Sequence, residues 1–146
     1  MVVIWTALLA ASLVIATVLV HYEVLRATSR LVTTVRIAAR SRILLVLAGI
    51  FTAHLLEVSL YAFAYFLMNH HLGLGSVRGA TGGGFVDFFY FSIACYTTLG
   101  MGDVFPAGAM RVVAGIEALN GFVLIGWSTS FTYLAMERFW REAGRP

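Results

Sequence analysis

The sequence has few charged residues, a single cysteine, and no lysine among its ten basic residues. Only 12% of its 146 residues are charged and 60% are hydrophobic, a composition outside the range of soluble globular domains. One thiol cannot form a disulfide within the chain. Because Cys95 also lies in an apolar run with no evident metal ligands beside it, we expect a buried apolar thiol. The composition predicts a membrane protein.

Three apolar stretches are long enough to cross a bilayer core of about 30 Å, which takes roughly 20 helical residues. They cover residues 2–20, 43–68 and 112–136. The first lacks a basic leader and is too long for the apolar part of a signal peptide, so we interpret it as a retained helix. A fourth run, FVDFFYFSIACYT at 85–97, would reach only about 20 Å as a helix. We expect it to enter the membrane and turn back.

The arginines predict the topology, because basic residues in short loops are retained on the cytoplasmic side. One group separates the first two spans and another follows the third, whereas only Arg78 and Arg111 lie in the remaining loop. That loop and the N-terminus therefore face outward, and the net charge of +3 indicates topology rather than a nucleic-acid partner. The two cytoplasmic groups are Arg26, Arg30, Arg36, Arg40 and Arg42, then Arg138, Arg141 and Arg145.

Two connecting segments differ in character. Residues 27–42 interleave apolar residues with arginines, which fits either an interfacial helix or a solvated loop. If the segment is an interfacial helix, Arg26, Arg30, Arg36 and Arg40 would meet anionic lipids.

Residues 69–84, NHHLGLGSVRGATGGG, contain six glycines and predict a flexible outer loop, in which we expect His70 and His71 to be exposed polar residues.

The stretch TTLGMGD at residues 97–103 is unlike an ordinary membrane helix. Non-helical backbone is tolerated at membrane depth only where protein buries it or where it lines a water-filled path. Gly100 and Gly102 permit backbone angles that let successive carbonyl oxygens point the same way and replace the water shell of an ion. The negative end of the preceding short helix dipole also favours a cation. The stretch therefore predicts a cation filter, with Asp103 at its mouth or bracing it.

The order of span, short helix, motif and span resembles the pore domain of tetrameric potassium channels, whose signature is Thr-Val-Gly-Tyr-Gly-Asp. The resemblance covers residues 43–138. It implies four subunits, no cofactor beyond monovalent cations such as potassium held in the filter, and Gly121 as an inner-helix hinge; a close-packing role for that glycine is the alternative. The implied ion-coordinating residues are Thr98, Leu99, Gly100, Met101 and Gly102, the first four holding the cation.

Met101 replaces the aromatic residue of that signature, which leaves selectivity for potassium over sodium open, because methionine is flexible and has no hydroxyl group. Leu99 in place of valine is a milder change. Aromatic residues of the short helix are candidates for bracing the filter, or else for contacts with lipid or between subunits. They are Phe85, Phe88, Phe89, Tyr90, Phe91 and Tyr96.

Charged side chains inside spans are costly and usually have a specific partner or role. His54 and Glu57 share one helical face, and Glu117 precedes Gly121 by about a turn. Two interpretations are open: Glu57 or Glu117 braces the filter from behind the short helix, or His54 or His21 makes gating sensitive to protons. Below Gly121, the residues expected to line the pore are Phe122, Ile125, Thr129 and Tyr133.

We therefore predict an all-α membrane protein with three transmembrane helices, a re-entrant pore helix and a filter loop, assembled as a cyclic homotetramer. The divisions are an extra helix at 1–25, a basic cytoplasmic interfacial segment at 26–42, the pore domain at 43–138 and a cytoplasmic tail at 139–146. Its expected function is passive cation conduction, with potassium as the ion, in a bacterial inner membrane. The alternatives are a weakly selective or sodium-conducting channel and a non-conducting subunit. No catalytic set of nucleophile, base and oxyanion donors can be assembled, so we do not expect an enzyme.

Overall fold

A computed structural model of the protein describes residues 2–35, 37–79 and 82–143, and within these ranges most residues are helical. Three helices are long, at 33, 29 and 34 residues, and one is short, at 12 residues. In chain order they are α1 (Val2–Thr34), α2 (Ala39–Leu67), α3 (Phe85–Tyr96) and α4 (Met110–Ala143). The three long helices have the length and apolar composition needed to cross a membrane, and the short helix does not.

Helix α1 packs against α2 and α4 along one stripe of residues spaced three or four apart. Its threonines fit an apolar helix because their hydroxyl groups donate to backbone carbonyls of the preceding turn: Thr6 to Val2 at 2.9 Å, and Thr17 to Leu13 at 2.8 Å. The buried stripe consists of Thr6, Ala10, Leu13, Thr17, His21, Leu25, Thr28 and Val32. The rest of the helix surface is left for lipid or other chains.

Helix α2 continues into a single π-helical turn, Met68–Leu72, before the chain reverses. Gly73 ends this turn with a φ of 59°, and its N–H group donates to the carbonyl of Met68. A left-handed residue at this position ends a helix, and glycine adopts that conformation at low cost.

Two short strands pair antiparallel beside the ends of the long helices. Strand β1 (Gly75–Arg78) lies before α3, and β2 (Phe105–Gly108) lies after the TTLGMGD segment. Their register pairs Gly75 with Gly108 and Arg78 with Phe105. The pairing brings together the two ends of the chain segment that contains α3 and TTLGMGD, so residues 79–104 leave and return at one place.

The fold confirms the prediction of an all-α architecture with three helices able to span a membrane, and it corrects several boundaries. The long helices extend beyond the predicted spans, because no glycine or proline stops α1 before Thr34. The described part of residues 27–42 contains no separate interfacial helix, because residues 27–34 continue α1 and residues 39–42 begin α2. The glycine-rich stretch 69–84 is not an unstructured loop throughout, since it contains a π turn and β1.

Candidate functional site

Helix α3 begins at a turn held by its own first-turn carboxylate. The Asp87 Oδ2 atom accepts hydrogen bonds from the backbone N–H groups of Gly82, at 3.0 Å, and Gly83, at 2.7 Å. A carboxylate near a helix N-terminus is also favoured by the helix dipole. His70 reaches the same turn, with its Nε2 atom 3.0 Å from the carbonyl oxygen of Gly83. The start of α3 is therefore fixed by local contacts.

The C-terminal end of α3 leads directly into the TTLGMGD segment. The N–H group of Thr98 donates to the Cys95 carbonyl at 3.0 Å, and that of Gly100 donates to the Ala94 carbonyl at 3.3 Å. These two bonds hold the first half of the segment against the last turn of α3. The helix end, with its partial negative charge, thus lies beside the predicted ion path.

The backbone of the TTLGMGD segment alternates in handedness. Thr98, Gly100 and Gly102 have φ values of 58°, 53° and 85°, and Thr98 is the only non-glycine residue with a positive φ among those described. Leu99 and Met101 therefore lie between left-handed residues. Such alternation points successive carbonyl oxygens toward one side of the chain, which an ion filter built from backbone oxygens requires.

The segment is exposed along its whole length in the single chain. The two apolar side chains in it are more than half exposed, Leu99 at 61% and Met101 at 56%. Beside it lies a cavity of about 350 Å³ lined by residues of α3 and α4, among them Ala94, Ala114 and Ala118. Cys95 also lines this cavity and is half-buried, less buried than expected.

One side chain of α3 braces the far end of the segment. The hydroxyl group of Tyr90 donates a hydrogen bond to Asp103 Oδ2 at 2.8 Å, and the Tyr90 oxygen lies 3.3 Å from the Met101 sulfur. The bond to the Asp103 carboxylate raises the pKa of the Tyr90 phenol. Tyr90 was one of several aromatic candidates for bracing, and the structure places it on both Met101 and Asp103.

A second contact joins α4, α3 and α2 behind the segment. The fully buried Glu117 carboxylate accepts a hydrogen bond from the Tyr65 hydroxyl group and lies within hydrogen-bond distance of Ser92 Oγ. Ser92 Oγ also lies 3.0 Å from the carbonyl oxygen of Val58. Glu117 thus contacts α3 from α4, through partners that the sequence did not indicate, and its role in bracing a filter stays a prediction.

Glu57 is the second buried carboxylate, and it too reaches the end of α3. It accepts a hydrogen bond from the hydroxyl group of Tyr96, the last residue of that helix. Two histidines flank the carboxylate, His21 from α1 at 2.8 Å and His54 from α2 at 3.2 Å. Sequence reasoning placed His54 and Glu57 on one face but missed the link to α1.

Gly121 lies where α4 crosses the C-terminal end of α3. A Cβ atom added there would come within 2.2 Å of the Tyr96 carbonyl oxygen, so the position requires glycine for close packing. Helix α4 runs through this point without interruption. The packing alternative is therefore the one that the contacts support, and the hinge stays a prediction.

The four residues predicted to line a pore share one exposed face of α4 in the single chain. Phe122 is 71% exposed and Tyr133 is 67% exposed. These side chains are exposed in the single chain, so they are available to an ion path or to another chain. The members of this face are Phe122, Ile125, Thr129 and Tyr133.

A family profile described as ion channel matches residues 53–138, more than half of the chain. The chain belongs to the two-helix ion channel family of the potassium-channel type. This channel is therefore an integral membrane protein and not an enzyme. The matched region runs from α2 through α3 and the TTLGMGD segment into α4, and it does not include α1. No curated protein and no solved structure matches the chain.

Proposed function

We propose that this channel conducts cations passively, with potassium as the ion, through a filter made of the TTLGMGD segments of four copies. The observation that carries the proposal is the alternating left-handed backbone at Thr98, Gly100 and Gly102, directly after the C-terminal end of α3. Carbonyl oxygens arranged in this way replace the hydration shell of an ion. The proposed coordinating residues are Thr98, Leu99, Gly100, Met101 and Gly102.

The exposure of the segment supports a cyclic assembly. One chain offers oxygen atoms from one side only, whereas a dehydrated cation needs them from all sides. Identical chains around a closed axis provide this, and the family resemblance sets the number at four. In that assembly the exposed α4 face, with Phe122 and Tyr133, would line the cavity below the filter.

The arginine distribution supports an orientation in which the N-terminus lies outside and the C-terminus in the cytoplasm of a bacterial inner membrane. Arg26 and Arg30 lie near the end of α1, where Arg26 also pairs with Glu23 at 2.9 Å. We propose that these arginines, together with Arg36 and Arg40, meet anionic lipid headgroups. Arg36 and the side chain of Arg40 lie outside the described residues.

The selectivity of the filter depends on how firmly its diameter is held. Tyr90 contacts Met101 and Asp103 together, and Glu117 ties α3 to α2 and α4. These contacts support a filter that is braced by α3 although Met101 has no hydroxyl group of its own. Potassium selectivity is the expected consequence.

The deciding experiment is flux into liposomes containing the purified protein, with potassium or sodium as the only permeant cation. Gly100→Ala is the test variant because the φ of 53° at this position disfavours any residue with a Cβ. Gly84→Ala is the matched control, since Gly84 has a φ of −78° and no described atom lies within 4 Å of an added Cβ.

Potassium flux that exceeds sodium flux, disappears in Gly100→Ala and persists in Gly84→Ala is the expected result. Equal flux of the two ions would instead indicate the weakly selective alternative and contradict potassium selectivity. If an intact tetramer carried neither ion, the channel proposal would give way to a non-conducting subunit.

A further inference from the structure

Two histidines, a carboxylate and a hydroxyl group form a closed ring between α1, α2 and α4. The Nδ1 atoms of His21 and His54 lie 2.8 Å and 3.2 Å from the two oxygens of Glu57. On the other side, Ser128 Oγ lies 3.2 Å from His21 Nε2 and 3.1 Å from His54 Nε2. His21 and Glu57 are fully buried, and the His54 side chain is 20% exposed.

The ring lacks a positive charge when both imidazoles are neutral. If each Nδ1–H group donates to Glu57, both Nε2 atoms are acceptors, and the Ser128 hydroxyl group has a single hydrogen for the two. One Nε2 atom then has no donor within the ring, and the charge of the fully buried Glu57 carboxylate is not neutralised. Both conditions are costly in a buried site. A bound cation would remove both.

The ring brings three metal-ligating side chains together. His21, His54 and Glu57 each offer a ligand atom, and these atoms all lie within 4.8 Å of one another. Zinc bonds of about 2.0–2.1 Å place tetrahedral ligands roughly 3.3 Å apart, and two histidines with one carboxylate are an established zinc ligand set. The Tyr96 hydroxyl group, whose oxygen lies 2.8 Å from His54 Nδ1, donates to Glu57, so it is within reach as a fourth ligand.

We propose that His21, His54 and Glu57 bind a divalent transition-metal ion, zinc being the best match, through the two Nδ1 atoms and a carboxylate oxygen. Each imidazole proton then moves from Nδ1 to Nε2, and both Nε2–H groups donate to the two lone pairs of Ser128 Oγ. The ion gives up its water ligands. When the Tyr96 oxygen completes the coordination it loses its proton to solvent, and the two negative ligands neutralise the ion.

A cavity gives a metal ion access to the site, and the position of the site allows a bound ion to affect the channel. His54 lines a cavity of about 420 Å³ between α2 and α4, together with Ile50 and Thr129. A metal ion held there joins α1, which lies outside the family match, to the matched region. Because Tyr96 immediately precedes the TTLGMGD segment, occupancy is transmitted to the proposed filter.

The test is an equilibrium titration of the purified, chelator-treated protein with zinc, with metal content measured by mass spectrometry. We expect one zinc per chain, with X-ray absorption showing nitrogen and oxygen ligands at about 2.0–2.1 Å. His54→Gln and Glu57→Gln should each lower the affinity at least ~10-fold, and Ser128→Ala by about 10- to 100-fold as an outer partner. His54→Cys retains a zinc ligand and should recover binding.

The double variant His70→Gln with His71→Gln is the matched control, because these adjacent histidines lie in the π turn at the far end of α2 and should not affect zinc binding. Zinc lost only in that double variant would overturn the proposal. Absence of zinc binding to the wild-type protein would also overturn it. The X-ray absorption measurement needs no variant, so misfolding of a mutant cannot obscure the result.

Discussion

The Tyr90 hydroxyl group donates a hydrogen bond of 2.8 Å to the carboxylate of Asp103, the last residue of the TTLGMGD segment. The bond joins the middle of α3 to the residue that follows Gly102. It fixes the far end of the segment, whereas the backbone bond from Gly100 to Ala94 fixes the near half. Both halves of the segment are therefore held by one helix.

Tyr90→Phe should lower the ratio of potassium to sodium flux several-fold while leaving the fold intact, because the ring stays and only the hydroxyl contacts with Asp103 and the Met101 sulfur are lost. Phe89→Tyr is not equivalent and should not compensate, since position 89 lies on another side of α3. Liposome flux with each ion measures the ratio. An unchanged ratio in Tyr90→Phe would mean that the bond does not hold the filter.

The same bond predicts how the channel responds to alkaline pH. Hydrogen bonding to Asp103 raises the pKa of Tyr90, so the folded protein holds this proton more tightly than the unfolded chain. The contribution of the bond is fully present below the ordinary tyrosine pKa of about 10 and is lost as pH rises through the raised value. We expect the potassium selectivity of the wild type to fall only above about pH 10. The selectivity of Tyr90→Phe, which has no phenol proton to lose, should not fall further over the same pH range.

Glu117→Gln should lower the free energy of unfolding by about 1–3 kcal/mol. The carboxylate places one oxygen at the Tyr65 hydroxyl group and the other at Ser92, whereas an amide has a single acceptor oxygen and its nitrogen cannot accept a hydrogen bond. Glu137→Gln on the same helix is the matched control. Its exposed pair with Arg141, at 3.4 Å, should contribute at most about 1 kcal/mol. Thermal unfolding in detergent measures both, and equal shifts would argue against a bracing role for Glu117.

Gly121→Ala should destabilise the protein by about 1–3 kcal/mol, since the new methyl group would meet the Tyr96 carbonyl and push α4 away from α3. Gly126→Ala on the same helix is the control: no described atom lies within 4 Å of its added Cβ, and alanine favours a helix. A Gly121→Ala protein of wild-type stability with altered gating alone would support the hinge and contradict the packing role.

Gly49→Ala should weaken the contact between α1 and α2, because the added Cβ would lie 2.1 Å from Thr28 Oγ1. A cost of about 1–3 kcal/mol is expected from overpacking. Thr28→Ala in the same chain makes room and should restore most of the loss. A double-mutant cycle on thermal stability measures this coupling, and purely additive effects would show that the two residues do not meet.

The sequence predicted the elements whose properties are local. The apolar run of α3 was placed at residues 85–97 and ends one residue earlier in the structure, because its boundaries coincide with glycines on one side and the TTLGMGD motif on the other. The left-handed glycines at 100 and 102 were likewise expected from residue type. The positive φ of Thr98 was not, since threonine rarely adopts it.

Contacts between residues that are far apart in the sequence could not be predicted from local sequence patterns. The cost of a charge in a span showed that Glu57 and Glu117 needed partners, but not which ones: His21 is 36 residues from Glu57, and Tyr65 is 52 residues from Glu117. The β1–β2 pairing was missed because neither four-residue strand shows the alternation typical of a half-buried strand. These contacts depend on how the helices pack on one another, which the hydrophobic periodicity of a single helix does not predict.

The pairing of β1 with β2 holds the two ends of the segment that contains α3 and TTLGMGD side by side. Because the ends are paired, a tilt of α2 or α4 is expected to move both ends together and not to stretch the segment along the chain. Glu57 and Glu117, which join α2 and α4 to α3, are then the contacts through which a displacement of the long helices would reach α3 and the TTLGMGD segment.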